Sequence, residues 1–260
     1  MDYSTLVVED RGLVRTIELH RPERRNAMNT AMQEELIAAL KETVTSCGSR
    51  VLVLTGAGGA FCSGMDLAAL QGLEAQSPTE RRTDAERIAE LFRTLYELPI
   101  PTIAAVQGAA MAGGTGLAMI CDFTLATPEA RFGFTEARIG FVPALVSAYL
   151  ALQIGDKRSR NLLLTARVFD AEEACRLGLV NEVVPHAELA GRVEALTDAL
   201  LANSPQSLSA TKRLMAAQNR AWLDAATALA VEANTQARET EDFHEGIAAF
   251  LAKRKPVWKG

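Results

Sequence analysis

Two glycine-rich turns, each following a short apolar strand pattern, are the features of the sequence best suited to chemistry. Residues 51–55 precede the run GAGGAFCSG, and residues 102–106 precede the run QGAAMAGGTG. A glycine turn presents backbone N–H groups without side chains in the way, and a helix that begins there adds a partial positive charge. Two such groups pointing at one atom form an oxyanion hole, in which each donor contributes roughly 3–4 kcal/mol. One turn alone would merely redirect the chain, whereas two after comparable strands favour a shared site.

The glycines do not match a nucleotide-binding loop. Phe61 occupies the position where the G-x-G-x-x-G pattern needs a glycine or an alanine. A G-x-x-x-x-G-K-[ST] phosphate loop does not occur either. Cys62 and Ser63 lie on the first turn as candidate nucleophiles, but the sequence has no G-x-S-x-G motif and its three histidines lie elsewhere. The sequence therefore does not favour a catalytic triad.

The composition is that of a globular protein with an acidic surface. The 260 residues include 27 Lys and Arg and 32 Asp and Glu, a formal net charge of −5. Such a surface repels a phosphate backbone, so we expect no nucleic acid partner. The cysteines Cys47, Cys62, Cys121 and Cys175 lie far apart, and none has a histidine beside it. This spacing predicts reduced thiols, no metal site and a cytoplasmic location.

One uncharged segment, residues 98–121, is long enough to cross a bilayer. It contains two prolines and four glycines, and much of the remainder is alanine. We therefore expect a buried strand, a turn and a helix, and no association with a membrane. The N-terminus lacks the basic start and the apolar stretch of a signal peptide.

The periodicity along the chain predicts an α/β fold followed by helices. Apolar strands alternate with helices at separations that imply parallel pairing. The first long helix is expected to open with Thr30 and Gln33 as its capping box. Later helices are expected to begin at Asp170 and at Ser204, and only helical patterns remain after residue 186.

Four segments of the chain carry a likeness to known proteins. They are AFCSGMDL (60–67), IAAVQGAAMAGGTGLAMICD (103–122), RFGFTEARIGFVP (131–143) and AFLAKRKPVW (249–258). Together they resemble the crotonase superfamily, the enoyl-CoA hydratase/isomerase group. The resemblance implies a ClpP/crotonase-like α/β spiral of repeated strand-turn-helix units with a C-terminal helical region. It places the spiral core, with the thioester site, at residues 1–195 and an oligomerisation region at residues 196–260.

The resemblance also implies a chemistry. Members act on acyl-CoA thioesters and polarise the thioester carbonyl with two peptide N–H groups, which by position are those of Met65 and Gly113. Glu136 is implied as the general acid/base, with a pKa raised by an apolar site. Without the resemblance, this glutamate would be interpreted as one partner of a surface ion pair. The other glutamate of the family's hydratases would fall at Gly116, which has no carboxylate.

The missing carboxylate leaves the reaction open. Hydration of a 2-enoyl-CoA is the leading interpretation, because the segment after Glu136 resembles hydratases of branched substrates such as methylglutaconyl-CoA. A Δ3,Δ2-enoyl-CoA isomerase is the alternative, since moving a double bond needs only one base. A non-catalytic acyl-CoA-binding relative is a third interpretation. The uncharged run VPALVS predicts an apolar acyl pocket, in which Arg138 or a loop residue would meet a substrate carboxylate.

Binding of CoA and self-association follow from the same resemblance. The resemblance implies six substrate- and CoA-binding residues, which are Arg24, Ala27, Asp66, Leu67, Phe250 and Lys253. Of these, Phe250 and Lys253 would reach the CoA of a neighbouring subunit. For Asp66, capping of the helix after the first turn is the preferred interpretation. Trimers or dimers of trimers are implied. No cofactor is expected, because coenzyme A is part of the substrate.

Overall fold

Strands and helices alternate along the chain in a computed structural model that describes residues 3–45, 48–66, 69, 72 and 75–259. The strands are β1 Leu6–Arg11, β2 Val14–Leu19, β3 Val51–Gly56, β4 Ala60–Cys62, β5 Thr102–Val106, β6 Ala109–Met111, β7 Phe123–Ala126, β8 Arg131–Gly133, β9 Val168–Asp170 and β10 Glu182–Val183. The helices are α1 Thr30–Thr45, α2 Pro78–Tyr96, α3 Gly113–Ile120, α4 Ala144–Thr165, α5 Ala171–Leu177, α6 His186–Leu201, α7 Pro205–Ala237 and α8 Glu241–Leu251. Short 3₁₀ helices span Pro22–Arg24 and Glu136–Ile139.

The strands form two sheets, which the chain visits alternately. The larger sheet has the order β1-β2-β3-β5-β7-β10, and the smaller one has the order β4-β6-β8-β9. Three consecutive strand pairs, β3–β4, β5–β6 and β7–β8, each begin in the larger sheet and end in the smaller one. Successive repeats pair in parallel. The chain therefore advances as a spiral in which the glycine-rich runs span the crossings between sheets, which confirms the predicted α/β crotonase fold.

Helices cover both faces of the larger sheet. On one face, side chains of α1 to α4 form the main core. On the other face, Leu189 and Leu200 of α6 pack against Val53 and Ile103 of the sheet. The C-terminal helical region thus completes the core. The predicted boundary at residue 195 lies inside α6, and the division into a core and an oligomerisation region stays a prediction.

The start of α1 differs from the prediction. Thr30 is already part of the helix, and Asn29 caps it, because its side-chain Oδ1 accepts a hydrogen bond from the Met32 N–H at 2.9 Å. The predicted capping box of Thr30 and Gln33 is therefore wrong. Gln33 instead turns into the interior, where only 3% of its surface is exposed.

The uncharged segment 98–121 contributes β5, β6 and α3 to the interior, which confirms the predicted strand, turn and helix. Its strand β5 is buried along its whole length between β3 and β7. In the part of the chain that the structure describes, none of the helices combines the length and the apolar content needed to cross a membrane.

The C-terminal helix α8 packs directly on the 3₁₀ helix of residues 136–139. A Cβ atom at Gly246 of α8 would collide with the carbonyl group of Ile139, so the two backbones are in contact. Beside this contact, the buried ring of Phe243 lies 5.3 Å from the ring of Phe141. The C-terminal region therefore supports the segment that carries the candidate acid/base.

This contact can be tested by adding a single methyl group. We expect Gly246→Ala to lower the free energy of unfolding by about 1–3 kcal/mol, because the added Cβ must push the two helices apart. Gly191→Ala is the matched control, since a Cβ in this part of α6 meets no atom within 4 Å. Because alanine has a higher helix propensity than glycine, Gly191→Ala should leave the free energy of unfolding unchanged or raise it by up to about 1 kcal/mol. Urea unfolding measures both, and equal midpoints for the two variants would contradict the direct contact.

Candidate active site

A cavity of about 160 Å³ brings both glycine-rich turns together with Glu136. Cavities of about 150 Å³ admit a benzene ring, so this one has room for a short acyl group. Its lining includes Ser63, Gly64 and Met65 of the first turn, Ala112 and Gly113 of the second, and Thr135 and Glu136 of the third repeat. The remaining lining residues, mostly apolar, include Met28, Gln33, Ile88, Phe92, Ile139, Phe141, Val142, Pro143, Ala144, Leu145, Val146, Asn234 and Phe250.

The first turn is held in place by a bridge to the segment before α1. The Met28 N–H donates to the Gly64 carbonyl at 2.7 Å, and the Asp66 N–H donates to the Met28 carbonyl at 2.8 Å. In this parallel bridge Met65 is the residue opposite Met28, so the Met65 N–H points away from it. Gly64 has φ of +94°, a conformation that side chains disfavour. The bridge therefore leaves the Met65 N–H available to a ligand in the cavity.

The second turn presents the start of a helix to the same cavity. Gly113 is the first residue of α3, and the N–H groups of a first helical turn have no intrahelical acceptor. The preceding residue, Ala112, is held at a φ of 50° while its N–H donates to the Gly133 carbonyl at 2.7 Å. Gly114 has no room for a side chain, because a Cβ there would collide with the Cys62 carbonyl. The two turns are thus in direct backbone contact.

Glu136 carries the candidate acid/base group. Glu136 as a whole is half-buried, but the Oε2 atom of its carboxyl group is inaccessible to water. This atom has no hydrogen-bond partner among the described residues. Burial raises the pKa of Glu136 to about 7, against an opposing effect of its own backbone N–H. The alternative of a surface ion pair is not observed: Arg131 donates to the Pro128 and Ala130 carbonyls, and the exposed Arg138 does not line the cavity.

Gly116, where a second carboxylate was considered, faces apolar side chains. A Cβ at this position would lie 2.8 Å from Val146 Cγ1 and 2.9 Å from Phe92 Cζ. Both distances are shorter than ordinary van der Waals contact. The space that a glutamate would need is therefore filled, and Glu136 is the one acidic residue among the described residues of the cavity lining.

Four of the implied CoA-binding residues lie near the first turn in sequence or in space. Arg24 is exposed at the end of the 3₁₀ helix, and its carbonyl accepts the Ser63 hydroxyl at 3.4 Å. Ala27 is buried. Asp66 is buried and pairs with Arg21 at 2.9 Å. Its predicted capping of the next helix involves residues outside the described ranges and stays a prediction. Leu67 lies outside the described residues.

Of the two implied residues of the C-terminal region, one lines the cavity and the other does not. The predicted contact of Phe250 with a neighbouring subunit's CoA stays a prediction. Phe250, at the end of α8, lines the cavity of its own chain. It does so because α8 folds back onto the 3₁₀ helix of residues 136–139. Lys253 is exposed beyond α8 and is not part of the cavity lining. Its role at a neighbouring subunit stays a prediction.

The two buried thiols do not offer an alternative nucleophile. Cys62 and Cys121 are buried, and burial raises their pKa to about 11 and about 12 respectively. A thiol with such a pKa is protonated at neutral pH and is a poor nucleophile. Cys175 is also a free thiol, as predicted, and Cys47 lies outside the described residues.

Helices supply one wall of the cavity, which the sequence did not predict. Gln33 of α1, Ile88 and Phe92 of α2, and Asn234 of α7 all line it. The available signal was a polar amide on an otherwise apolar helix face: Gln33 is one turn before Ile37, which is buried on the same helix. We had interpreted that residue as part of a helix cap.

Comparisons with known proteins agree along nearly the whole chain. The family model described as enoyl-CoA hydratase/isomerase matches residues 9–260. A Thermus thermophilus relative, whose name places it among the enoyl-CoA hydratases, is 42% identical over 251 residues, covering 96% of this chain and 99% of its own. The short-chain-enoyl-CoA hydratase of Clostridium acetobutylicum is 31% identical over 257 residues, with coverages of 98% and 97%. A crystal structure of an enoyl-CoA hydratase from Mycobacterium avium has a TM-score of 0.87 at 32% identity and covers both chains completely.

The raised pKa of Glu136 predicts a pH-dependent gain of stability on its replacement. Folding raises the pKa from the ordinary 4.5 to about 7, so the ionised carboxylate destabilises the folded state above pH 7. Below about pH 4.5 the carboxyl is neutral in both states and the penalty disappears. We expect Glu136→Gln to increase the free energy of unfolding by about 1–3 kcal/mol at pH 8 and to leave it unchanged near pH 4. Urea unfolding at both pH values measures these free energies. If the variant and the wild type differed by the same amount at pH 8 and near pH 4, the raised pKa would be contradicted.

Proposed function

The chain belongs to the enoyl-CoA hydratase/isomerase family, and we propose that it adds water to the double bond of a 2-enoyl-CoA. The observation that carries this proposal is the shared cavity. It holds a buried carboxyl group with an unpartnered oxygen beside two turns, in which the Met65 and Gly113 N–H groups have no backbone acceptor among the described residues. Such an arrangement can stabilise negative charge on the oxygen of a bound carbonyl while the carboxyl group moves a proton.

The Met65 and Gly113 N–H groups are proposed to bind the thioester oxygen. When an oxygen nucleophile attacks the β-carbon, the electron pair of the double bond moves toward the thioester carbonyl and forms an enolate. Two fixed N–H donors stabilise that negative charge without rearranging, and the α3 N-terminus adds its partial positive charge. Because the donors belong to the backbone, the side chain of Met65 contributes only packing.

Glu136 is proposed to move both protons. As a carboxylate it takes a proton from the attacking water while the new carbon–oxygen bond forms at the β-carbon. As a carboxylic acid it then returns a proton to the α-carbon of the enolate, which balances the addition of one water. A pKa of about 7 keeps both forms populated near neutral pH, which suits a group that alternates between base and acid. The scheme uses no metal and no cofactor beyond the CoA of the substrate.

A Δ3,Δ2-enoyl-CoA isomerase is the second candidate, favoured by one specific observation. Phe92 and Val146 fill the space beside Gly116, so a water molecule would be oriented by Glu136 without a second carboxylate. Double-bond migration needs only one base that removes a proton at one carbon and returns it at another. A non-catalytic acyl-CoA-binding role fits less well, because a buried carboxyl with an unpartnered oxygen lowers stability, a cost that proteins commonly retain where activity needs the group.

The acyl group is proposed to be short or branched. The apolar side chains of Ile88, Phe92, Leu145 and Val146 line a cavity of about 160 Å³ together with Glu136, and this volume suits a small acyl group. A methylglutaconyl group has the required branching. Its distal carboxylate, however, would meet neither a lysine nor an arginine among the described residues of the lining.

Trimers or dimers of trimers and a cytoplasmic location remain part of the proposal. The long helix α7 exposes Met215, Trp222 and Leu229 in a stripe of seven-residue spacing, and such apolar stripes commonly mark a contact between subunits. Arg24 and Lys253 are proposed to bind the CoA phosphates, with the Ala27 and Leu67 backbones near the adenine. The free thiols of the described cysteines suit a reducing compartment.

Replacement of Glu136 tests the reaction and its acid/base together. We expect the wild-type protein to hydrate crotonyl-CoA, and Glu136→Gln to lower kcat by about 10²–10⁴-fold, because the amide can neither accept nor return the proton. The exposed Glu129 supplies the control, Glu129→Gln. Products are followed with 2-enoyl and 3-enoyl thioesters. Unchanged turnover in Glu136→Gln would refute the acid/base, and rapid double-bond migration without hydration would establish the isomerase.

A matched pair at Gly113 tests the backbone donor. Any Cβ at this position lies 2.7 Å from the flexible Met28 Cε, so Gly113→Ala and Gly113→Pro impose the same contact. Only proline removes the N–H, and it is tolerated at the first position of a helix. We expect kcat of Gly113→Pro to lie about 10²-fold or more below that of Gly113→Ala, measured in protein of similar Tm. Equal rates in the two folded variants would rule out this donor.

A further inference from the structure

The segment between β2 and α1 contains two consecutive residues in the left-handed backbone conformation. Arg25 has φ of 50° and Asn26 has φ of 54°. Asparagine tolerates this conformation better than most residues, whereas an arginine in it is strained. Such strain persists only where the surrounding contacts fix the backbone. The shape of this segment is therefore imposed by what it contacts.

The side chain of Asn26 supplies those contacts. It is completely buried, and its Oδ1 accepts a hydrogen bond from the Arg21 N–H at 2.9 Å. Its Nδ2 donates to the Ala57 carbonyl at 2.9 Å and to the Ala60 carbonyl at 2.8 Å, so both hydrogens of the NH₂ group are used. Ala57 and Ala60 lie on either side of the crossing from β3 to β4. One amide thus joins the segment before α1 to the first crossing between the sheets.

The same segment forms the backbone hydrogen bonds that hold the first glycine-rich turn. The Arg25 carbonyl accepts the Ser63 N–H at 3.0 Å. Three residues later, Met28 bonds to the residues on either side of Met65 in the parallel bridge. Residues 25–28 therefore fix the direction of the backbone at Met65, and with it the direction in which the Met65 N–H points.

We infer that Asn26 is a positioning residue for the oxyanion hole, because its amide holds residues 25–28 in the shape that directs the Met65 N–H toward the thioester oxygen. The inference rests on the proposed function, in which that N–H binds this oxygen. Asn26 does not line the cavity, so it acts through Met65 without touching the substrate. A hydrogen bond weakens steeply as its angle closes, and a displacement of about 1 Å in a catalytic group can cost about 10²-fold in rate.

Two replacements separate the amide contacts from the backbone conformation. Asn26→Gly retains the left-handed conformation without steric cost but removes all three side-chain hydrogen bonds. Asn26→Asp retains the size and the Oδ1 acceptor but places an oxygen where the NH₂ group meets two carbonyls. The matched control is Asn181→Ala, since the Asn181 Oδ1 accepts the Thr124 N–H at 2.7 Å in the larger sheet. Neither of these two residues lines the cavity.

The ¹³C resonance of a bound thioester carbonyl reports on the donor without any turnover. Butanoyl-CoA, labelled at that carbon, has no double bond to hydrate, and hydrogen bonds to its oxygen move the resonance to higher chemical shift. At saturating protein, we expect the wild type and Asn181→Ala to move it equally, and both Asn26 variants to move it by less than half as much.

Thermal unfolding identifies which variants are folded, and Asn26→Gly, which introduces no charge, decides the question if Asn26→Asp does not fold. A displacement equal to that of the wild type in a folded Asn26→Gly would show that only the backbone conformation matters and would overturn the inference. A wild-type resonance that does not move on binding would overturn it as well.

Turnover separates this inference from the proposed function. On crotonyl-CoA we expect both Asn26 variants to lower kcat by about 10- to 10²-fold and to change KM by less than about threefold, because the weakened bond matters most in the transition state. Asn181→Ala should retain the wild-type kcat. A raised KM with unchanged kcat would assign Asn26 to substrate binding and overturn the positioning role. If the wild type moved the carbonyl resonance but hydrated no enoyl-CoA, the hydratase proposal would fail and the role of Asn26 would stand.

Discussion

The structure depends on bringing two glycine-rich turns from distant parts of the chain to one cavity. Met65 and Gly113 belong to consecutive repeats of the spiral, and each follows the point where the chain crosses from the larger to the smaller sheet. The crossings are fixed by backbone contact, since Gly114 lies against the Cys62 carbonyl and leaves no space for a side chain. Parallel pairing of β4 with β6, irregular between Ala60 and Cys62, holds the two turns side by side. A rigid pair of donors is what electrostatic stabilisation of an oxyanion requires, because donors that need not reorganise stabilise charge more effectively.

Burial beside the same cavity sets the pKa of Glu136. Its carboxyl is raised to a pKa of about 7 by burial and not by a neighbouring charge. The helix α8 contributes to that burial by closing over the 3₁₀ helix, with Gly246 against Ile139 and the Phe250 ring on the cavity. The side chains of Phe92 and Val146 fill the space beside Gly116. Within the described part of the chain, one carboxyl group lines this pocket, and the C-terminal helix supplies Phe250 to its wall.

Local features were predictable from sequence, and features that depend on side-chain direction were not. The caps at Asp170 and Ser204 are observed as predicted, because a cap needs only neighbours in sequence. The spiral order and the two turns were also accessible, through strand patterns and a family resemblance. The cap of α1 was misplaced by one residue, which concealed that Gln33 faces the cavity. That α8 turns Phe250 toward its own chain depends on tertiary packing, which no local pattern encodes.

The central claim, that two backbone N–H groups polarise a bound thioester carbonyl, is tested most directly by the vibration of that carbonyl. Isotope-edited infrared spectroscopy compares the thioester C=O stretch of crotonyl-CoA, labelled with ¹³C at the carbonyl carbon, free in solution and bound to the enzyme. Two strong hydrogen bonds to the oxygen weaken the C=O bond, so the account predicts a clear shift of the band to lower frequency on binding. A bound substrate whose carbonyl band stays at its solution frequency would contradict it.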